Sequence, residues 1–362
     1  MKVPGLGWIR HAADILGTRL DPGIPVLLYH RVADLPFDPQ WLAVRPEHFE
    51  QQMRVLREKF FPLSLRQLLD ALAVGKIPRR AVMVTFDDGY ADNFLQAKPI
   101  LEKFDIPSAI FITTGNLGGK SEFWWDELEK FLFAPALLPE TLALNISGET
   151  FTQRLAERAF SQKLPDAWNV LNDKTPTERH RLYRELAKIL TELLPEERET
   201  VLNSLSRWSG CSRAPRASHV SLTAEELADF GKSGLVEFGS HTVRHPKLSR
   251  LTAAAQASEI HESRRTLEDI LGREITAFSY PFGGHLAYSR ETIAILKSAG
   301  FRCAFSAMPY RVRRDGDAFQ LPRCFVRDWD GDQFARELSA FASFKPWMKM
   351  YEHEGEDAKI AN

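Results

Sequence analysis

Residues 81–94 read AVMVTFDDGYADNF. Ala81 to Phe86 are apolar or β-branched with almost no polar alternation, the pattern of a short strand covered on both faces. The run passes directly into Asp87, Asp88 and Gly89. Two adjacent carboxylates at the end of a buried strand repel each other and lose hydration, so they call for a compensating partner unless they merely form a turn. Similar runs occur at 24–30, 107–113, 234–240, 275–281 and 301–307. Between them lie helical patterns. In residues 45–60, Phe49, Met53, Leu56 and Phe60 recur at helical spacing behind Pro46 and Glu47. Residues 252–272 open on a candidate cap, Thr252, and stop at Gly272. Alternation of strand and helix predicts an α/β body with a largely parallel sheet or barrel.

The chain has 362 residues, enough for one elaborated domain or two ordinary ones, and 44% of them are apolar, ample for a core. Forty-seven Lys and Arg against 48 Asp and Glu leave a net charge of −1. That balance offers no overall attraction for nucleic acid or an acidic membrane. Cys211, Cys303 and Cys324 are odd in number and widely spaced, fitting neither a disulfide framework nor a thiolate zinc site, and a reducing compartment is the simpler expectation. Arg10, His11, Asp14 and Arg19 interrupt any signal-peptide core, and no window reaches the roughly 20 apolar residues of a membrane span. The expected location is therefore cytoplasmic, with peripheral membrane contact open to an amphipathic N-terminal segment. Residues 120–215 break the strand–helix rhythm with an aromatic cluster, a candidate hairpin and a charged helical stretch. The predicted organisation is an N-terminal segment 1–23, a first part of the α/β body 24–119, a mostly helical insertion 120–215, a second part 216–345 and a polar tail 346–362.

Four of the predicted strands end in residues suited to chemistry. The first ends at His30, the second leads to Asp87 and Asp88, the fourth to His241, and the fifth, AFSYP, to Phe282 and Gly283. Parallel α/β folds bind ligands at the carboxyl ends of their strands, so four such residues on one edge suggest a site. His241 and His245, in SHTVRHPKL, can aim two imidazoles at one ion, and Pro246 favours a tight turn over a helix there. Two histidines and a carboxylate with open positions make a common catalytic site for a divalent ion. Either Asp87 or Asp88 can supply the carboxylate.

TFDDGY, SHTVRHPKL and SYPFG, in this order, resemble the first three motifs of the polysaccharide deacetylase family, metal-dependent enzymes that remove N-acetyl groups from chitin-like and poly-N-acetylglucosamine glycans. The resemblance covers roughly residues 24–118 and 218–340. It implies a distorted, incompletely closed (β/α) barrel, with Asp87 as catalytic base and Asp88, His241 and His245 as ligands of one divalent metal, Zn2+ first, with Co2+, Ni2+ and Fe2+ also suited. Two departures stand out. Ser279 occupies the place of the usual base-tuning arginine, for which Arg323 is the candidate replacement. The late motif carrying the acid histidine is missing, but VLLYHRV near the start is similar to the circularly permuted, exopolysaccharide-modifying branch, which makes His30 the general acid.

Amide hydrolysis needs a nucleophile, a sink for oxyanion charge and a proton for the leaving amine. A divalent ion lowers the pKa of its water from about 15.7 towards roughly 7 to 9 and polarises the carbonyl. Asp87 would accept the proton, the backbone N–H of Phe282 would stabilise the oxyanion, and His30 would protonate the nitrogen. Trp124, Trp125 and Trp329 offer faces for sugar stacking and Asp126 a carboxylate for hydroxyls, with anchoring of the insertion as the structural alternative for the tryptophans. The expected substrate is an N-acetylhexosamine-containing glycan or precursor, such as a lipid-linked or nucleotide-linked sugar. Two rivals are a C–N hydrolase of small non-sugar amides on the same barrel and an inactive metal-containing glycan-binding module.

Overall fold

The computed structural model describes residues 23–156 and 168–342. The polar tail expected at 346–362 and all but the last residue of the expected N-terminal segment lie outside them. All six expected runs form strands: β1 (Val26–Tyr29), β2 (Ala81–Phe86), β3 (Ser108–Ile112), β4 (Val236–Ser240), β5 (Ala277–Ser279) and β6 (Cys303–Phe305). A two-residue strand not anticipated from the sequence, β7 (Cys324–Phe325), joins them. The order across the sheet is β6-β5-β4-β3-β2-β1-β7, every neighbour parallel. The sheet curls into a barrel whose edges meet at an isolated bridge between Phe305 and Leu321 and not along paired strands, as in an incompletely closed (β/α) barrel.

Period-two alternation separates two cores. Val26, Ala81, Met83, Ala109, Phe111, Ala277, Cys303 and Phe305 pack together inside the curl. Leu27, Val82, Val84, Phe86, Ile110 and Ile112 face outward onto the helices. The helix Pro46–Lys59 starts with proline in its first turn, where a missing N–H costs nothing. On the helix Ala253–Leu271, Thr252 accepts from the Ala255 N–H and Gly272 closes the far end at φ 63°.

The chain between β3 and β4 leaves the barrel. It contains α1 (Trp124–Phe133), an antiparallel hairpin of Thr141–Ile146 with Glu149–Arg154, α2 (Glu178–Glu192) and α3 (Pro195–Ser209). These elements build a third core around Leu128, Phe131, Leu186 and Leu202, which Phe37 and Tyr90 of the barrel loops enter. Glu122, fully buried, binds both Lys130 (3.1 Å) and Arg216 (2.8 Å), so the two ends of the excursion are tied together by charge. Among the described residues no helix is long and apolar enough to cross a membrane.

Candidate functional site

Strand alternation explains how two neighbouring carboxylates come to point in different directions. Met83, Thr85 and Asp87 follow one another at period two, so Asp87 continues the inward face of β2. Asp88 then leaves the strand at φ 75° and Gly89 at φ 82°, which breaks the alternation and frees the second carboxylate. Gly89 could not be replaced freely, because a Cβ there would lie 2.8 Å from Ile112 Cδ1 in a conformation that side chains disfavour.

Asp87, 3% exposed, receives a bidentate pair from Arg323: Nη1 to Oδ1 and Nη2 to Oδ2, both at 2.7 Å. Arg323 precedes β7 and is fully buried; its Nη2 also donates to Ser279 Oγ (2.7 Å) and its Nε to the Ser306 carbonyl (3.0 Å). The Ser279 hydroxyl donates in turn to Asp87 Oδ2 (3.0 Å). Burial pushes the Asp87 carboxyl up, but Arg323, and then His241, outweigh it and hold the group well below the usual carboxylate range. Burial, then the charge of Asp87, drives Asp88 the other way, well above that range. The two neighbours are thus separated into an ionised carboxylate with a fixed counter-charge and one without.

The missing partner of Asp88 is visible in its surroundings. Its Oδ1 is buried and accepts no hydrogen bond. It lies 3.6 Å from His241 Nε2 and 3.7 Å from His245 Nε2, too far for hydrogen bonds. Donors held about 2.1 Å from one ion at a tetrahedral angle sit about 3.4 Å apart, so these three atoms have the spacing of a shared cation. Among the described residues they form the one group of this kind. The His241 Nδ1–H donates to the Ser279 carbonyl at 2.8 Å, which leaves Nε2 with its lone pair facing Asp88. Burial lowers both histidines' pKa, for His245 together with the charges of His241 and Arg198, so both imidazoles are neutral donors. An orphaned buried oxygen and two neutral imidazoles fit a divalent cation; no feature selects Zn2+ over its neighbours.

Three further backbone positions at this rim have positive φ: Thr242 (67°), His245 (52°) and Phe282 (64°). The expected turn at His245 is present, but in the left-handed region rather than the extended one that a following proline favours. The Phe282 N–H makes no hydrogen bond among the described residues, and its ring packs edge-on against His245 at 4.7 Å. His30, just past β1, is partly exposed and stacks on Phe325 at 5.5 Å. Burial lowers its pKa to about 3, against the pull of Asp87.

The aromatic candidates have a different role from open stacking platforms. Trp124 and Trp125 are 7% and 6% exposed and belong to the insertion core. One face of Trp125 is taken by Phe123 (4.7 Å, 8°), its edge meets His245 at 5.1 Å, and its Nε1–H donates to Tyr90 Oη (2.8 Å). Trp329, also 7% exposed, packs in the core outside the barrel. These placements correct the stacking expectation for the three tryptophans: large apolar rings near a cleft are as useful for packing as for sugars, and here packing takes them. Asp126 keeps some exposure; its Oδ2 accepts from Tyr90 Oη (2.7 Å), and burial raises its pKa to about 7 against the opposing charge of Arg31.

Sequence reasoning passed over Asp92 and Asn93. Asp92 accepts from the Val32 N–H and from Arg31 Nε, both at 3.0 Å, and the Asn93 amide donates to the His30 carbonyl (2.9 Å). They sit where the chain makes a π-helical turn, Asn93–Ala97, a feature common at functional sites. Polar residues persisting beyond the Asp-Asp-Gly were the available signal.

Comparison with known proteins adds three findings. The polysaccharide deacetylase family model matches residues 75–135 and 213–304. The poly-beta-1,6-N-acetyl-D-glucosamine N-deacetylase of Escherichia coli (strain K12) is 35% identical over 96 residues, 26% of this chain and 14% of that protein, so the match spans well under two thirds of the relative. Among solved structures, the Streptococcus pyogenes deacetylase PplD in complex with acetate aligns over 87% of this chain and 97% of its own, with a TM-score of 0.54 at 19% identity. IcaB from Ammonifex degensii aligns over 88% and 97%, with a TM-score of 0.54 at 21% identity. At these identities the structures establish a shared fold.

Proposed function

We propose that this chain, which carries a polysaccharide deacetylase domain, removes N-acetyl groups from an N-acetylhexosamine-containing glycan or glycan precursor, with Asp88, His241 and His245 holding a divalent cation. The observation that supports the reading best is the division of labour between the carboxylates: Asp87 locked to Arg323, and Asp88 Oδ1 buried, unpaired and facing two imidazoles. A cation there would supply an acidified water and a Lewis acid for the acetyl carbonyl. Asp87, ionised and tied down by Arg323, would take the proton of the attacking water. The Phe282 N–H, without a hydrogen bond among the described residues, would donate to the oxyanion as the C–O bond forms, a contribution of about 3 kcal/mol. His30 delivers a proton to the nitrogen as the C–N bond breaks, releasing acetate and a free amine. Burial leaves His30 neutral in the cation-free protein, so it would relay a proton taken from solvent, while Asp87 returns the water's proton to solvent.

Acetate and primary-amine release from N-acetylglucosamine oligomers, with metal analysis, test this for wild type, Asp87→Asn and His30→Ala. Both variants should keep their metal and lose at least a hundredfold in kcat. Full activity of Asp87→Asn defeats the mechanism. Turnover confined to small non-sugar amides defeats the substrate, and glycan binding without any turnover defeats catalysis.

A further inference from the structure

The loop carrying His241 and His245 is short of internal support. Two of its residues have positive φ, and its only internal side-chain bond, besides that of the Thr242 hydroxyl to the His241 carbonyl, runs from the His245 N–H to Thr242 Oγ1 (3.1 Å). Its geometry is set from outside: just past β3 the N–H groups of Thr114 and Gly115 donate to the Thr242 and Val243 carbonyls (3.1 and 2.8 Å), and two further supports flank them. On the barrel side Glu259, in the helix Ala253–Leu271, accepts from the N–H groups of Val243 (2.8 Å) and Arg244 (2.9 Å) and from Arg244 Nε (2.7 Å). On the other side stands the insertion. Arg198 of α3 is 4% exposed, and its Nη2 donates to the Arg244 carbonyl at 2.9 Å, with the His245 carbonyl at 3.5 Å. Its guanidinium lies over Trp124 at 5.6 Å, while the neighbouring Trp125 meets the His245 ring at 5.1 Å. Further ion pairs join Arg244 to Glu196 and Lys247 to Glu192.

We propose that the helical insertion is a positioning element for the metal centre, with Arg198 as the positioning residue that fixes the Arg244–His245 backbone and so sets the affinity for the cation. This rests on the reading of Asp88, His241 and His245 as cation donors. The physical case is one of alternatives. A buried guanidinium with Nη1 lacking any hydrogen bond is expensive to keep. A merely packed insertion would be served better by an apolar side chain of the same length over Trp124. What an apolar residue cannot do is hold two successive carbonyls of a loop whose ligand residue is conformationally strained. Partners of this outer kind typically change metal affinity by 10–100-fold when removed.

The test uses the full chain stripped of metal and titrated with Zn2+ against a competing chelator, and with Co2+ followed by its d–d absorption. Arg198→Met should weaken the dissociation constant about 10–100-fold and alter the Co2+ bands, and Arg198→Lys should recover part of both. The surface variant Glu185→Gln, exposed on α2 and outside these contacts, should change neither. Wild-type affinity and an unaltered Co2+ spectrum in Arg198→Met overturn the inference, whatever happens to its melting temperature. If that variant does not fold, Arg198→Lys decides alone: wild-type affinity and bands overturn it, and an intermediate loss supports it. Wild-type protein that takes up neither ion overturns the inference together with the metal centre. Wild-type uptake without deacetylation sinks only the reaction proposed above.

Discussion

Replacing Arg323 with methionine asks the most of the site. The side chain is 0% exposed and gives Asp87 two parallel bonds of 2.7 Å, leaving the Ser279 hydroxyl at 3.0 Å as the one remaining side-chain donor to that carboxylate. Removing one member of a buried ion pair costs about 3–5 kcal/mol, because the survivor is left charged and desolvated. The sign with pH follows from the direction of the shift. Asp87 is depressed in the folded state, so the pair's contribution is present above the unfolded carboxylate value of about 3.9 and is lost as pH falls through the lower folded value. Chemical denaturation of the metal-free variant should therefore show a deficit of about 3–5 kcal/mol at pH 7 that narrows as pH falls, first as Asp87 of the variant protonates and then, below about pH 4, as the wild-type pair is lost. Without its counter-charge Asp87 is pushed up by burial, and a protonated base accepts nothing. Acetate release should fall at least a hundredfold at pH 7, with the ratio to wild type recovering as pH rises. Arg323→Lys, a point charge without the fork, should lie between the two. Wild-type stability and activity for Arg323→Met at pH 7 would refute both the pairing and the role given to Asp87.

Asp92→Asn removes the charge that grips Arg31 and the Val32 N–H on the far side of His30, and should lower kcat by roughly tenfold with metal content intact; unchanged kcat, or loss of metal, would contradict the positioning of His30 by this loop. Asp126 is raised to about 7, so in metal-free protein it favours folding below about pH 4 and penalises it progressively up to about pH 7. Asp126→Asn should then gain on the order of 1–3 kcal/mol over wild type at pH 8 and little at pH 4, measured by denaturation; equal differences at both pH values would show that the carboxyl is not held protonated.

The strand ends and their order were legible because apolar runs, caps and turn residues are local signals. A largely parallel sheet or barrel therefore followed from residues a few positions apart, and the incompletely closed barrel from the family resemblance. Arg323 was a weaker inference for a physical reason: it meets Asp87 across 236 positions of chain, through a closing strand of two residues that carries no periodicity. The tryptophans show the opposite failure. Composition placed Trp124 and Trp125 near the site, but only packing reveals that Phe123 occupies one face of the second ring and that the pair serves the insertion core. Arg198 and Glu259 had no sequence signal at all, since each acts on backbone groups of the metal-donor loop and neither belongs to a motif.

The distribution of backbone strain connects these observations. Among the described residues eight non-glycine positions have positive φ, and four of them, Asp88, Thr242, His245 and Phe282, lie where β2, β4 and β5 end at one rim. Each such position costs on the order of 1–3 kcal/mol and persists only when its surroundings fix it. At Asp88 the positive φ breaks the strand alternation that would have pointed its carboxylate away, so that both carboxylates come within 3.7 Å of His241 Nε2; at His245 it accompanies an imidazole 3.7 Å from Asp88 Oδ1. Strain at any one of these would be a local accident of a turn. Strain at all of them, beside a buried oxygen with no donor, is the pattern that the proposed cation and oxyanion sites require.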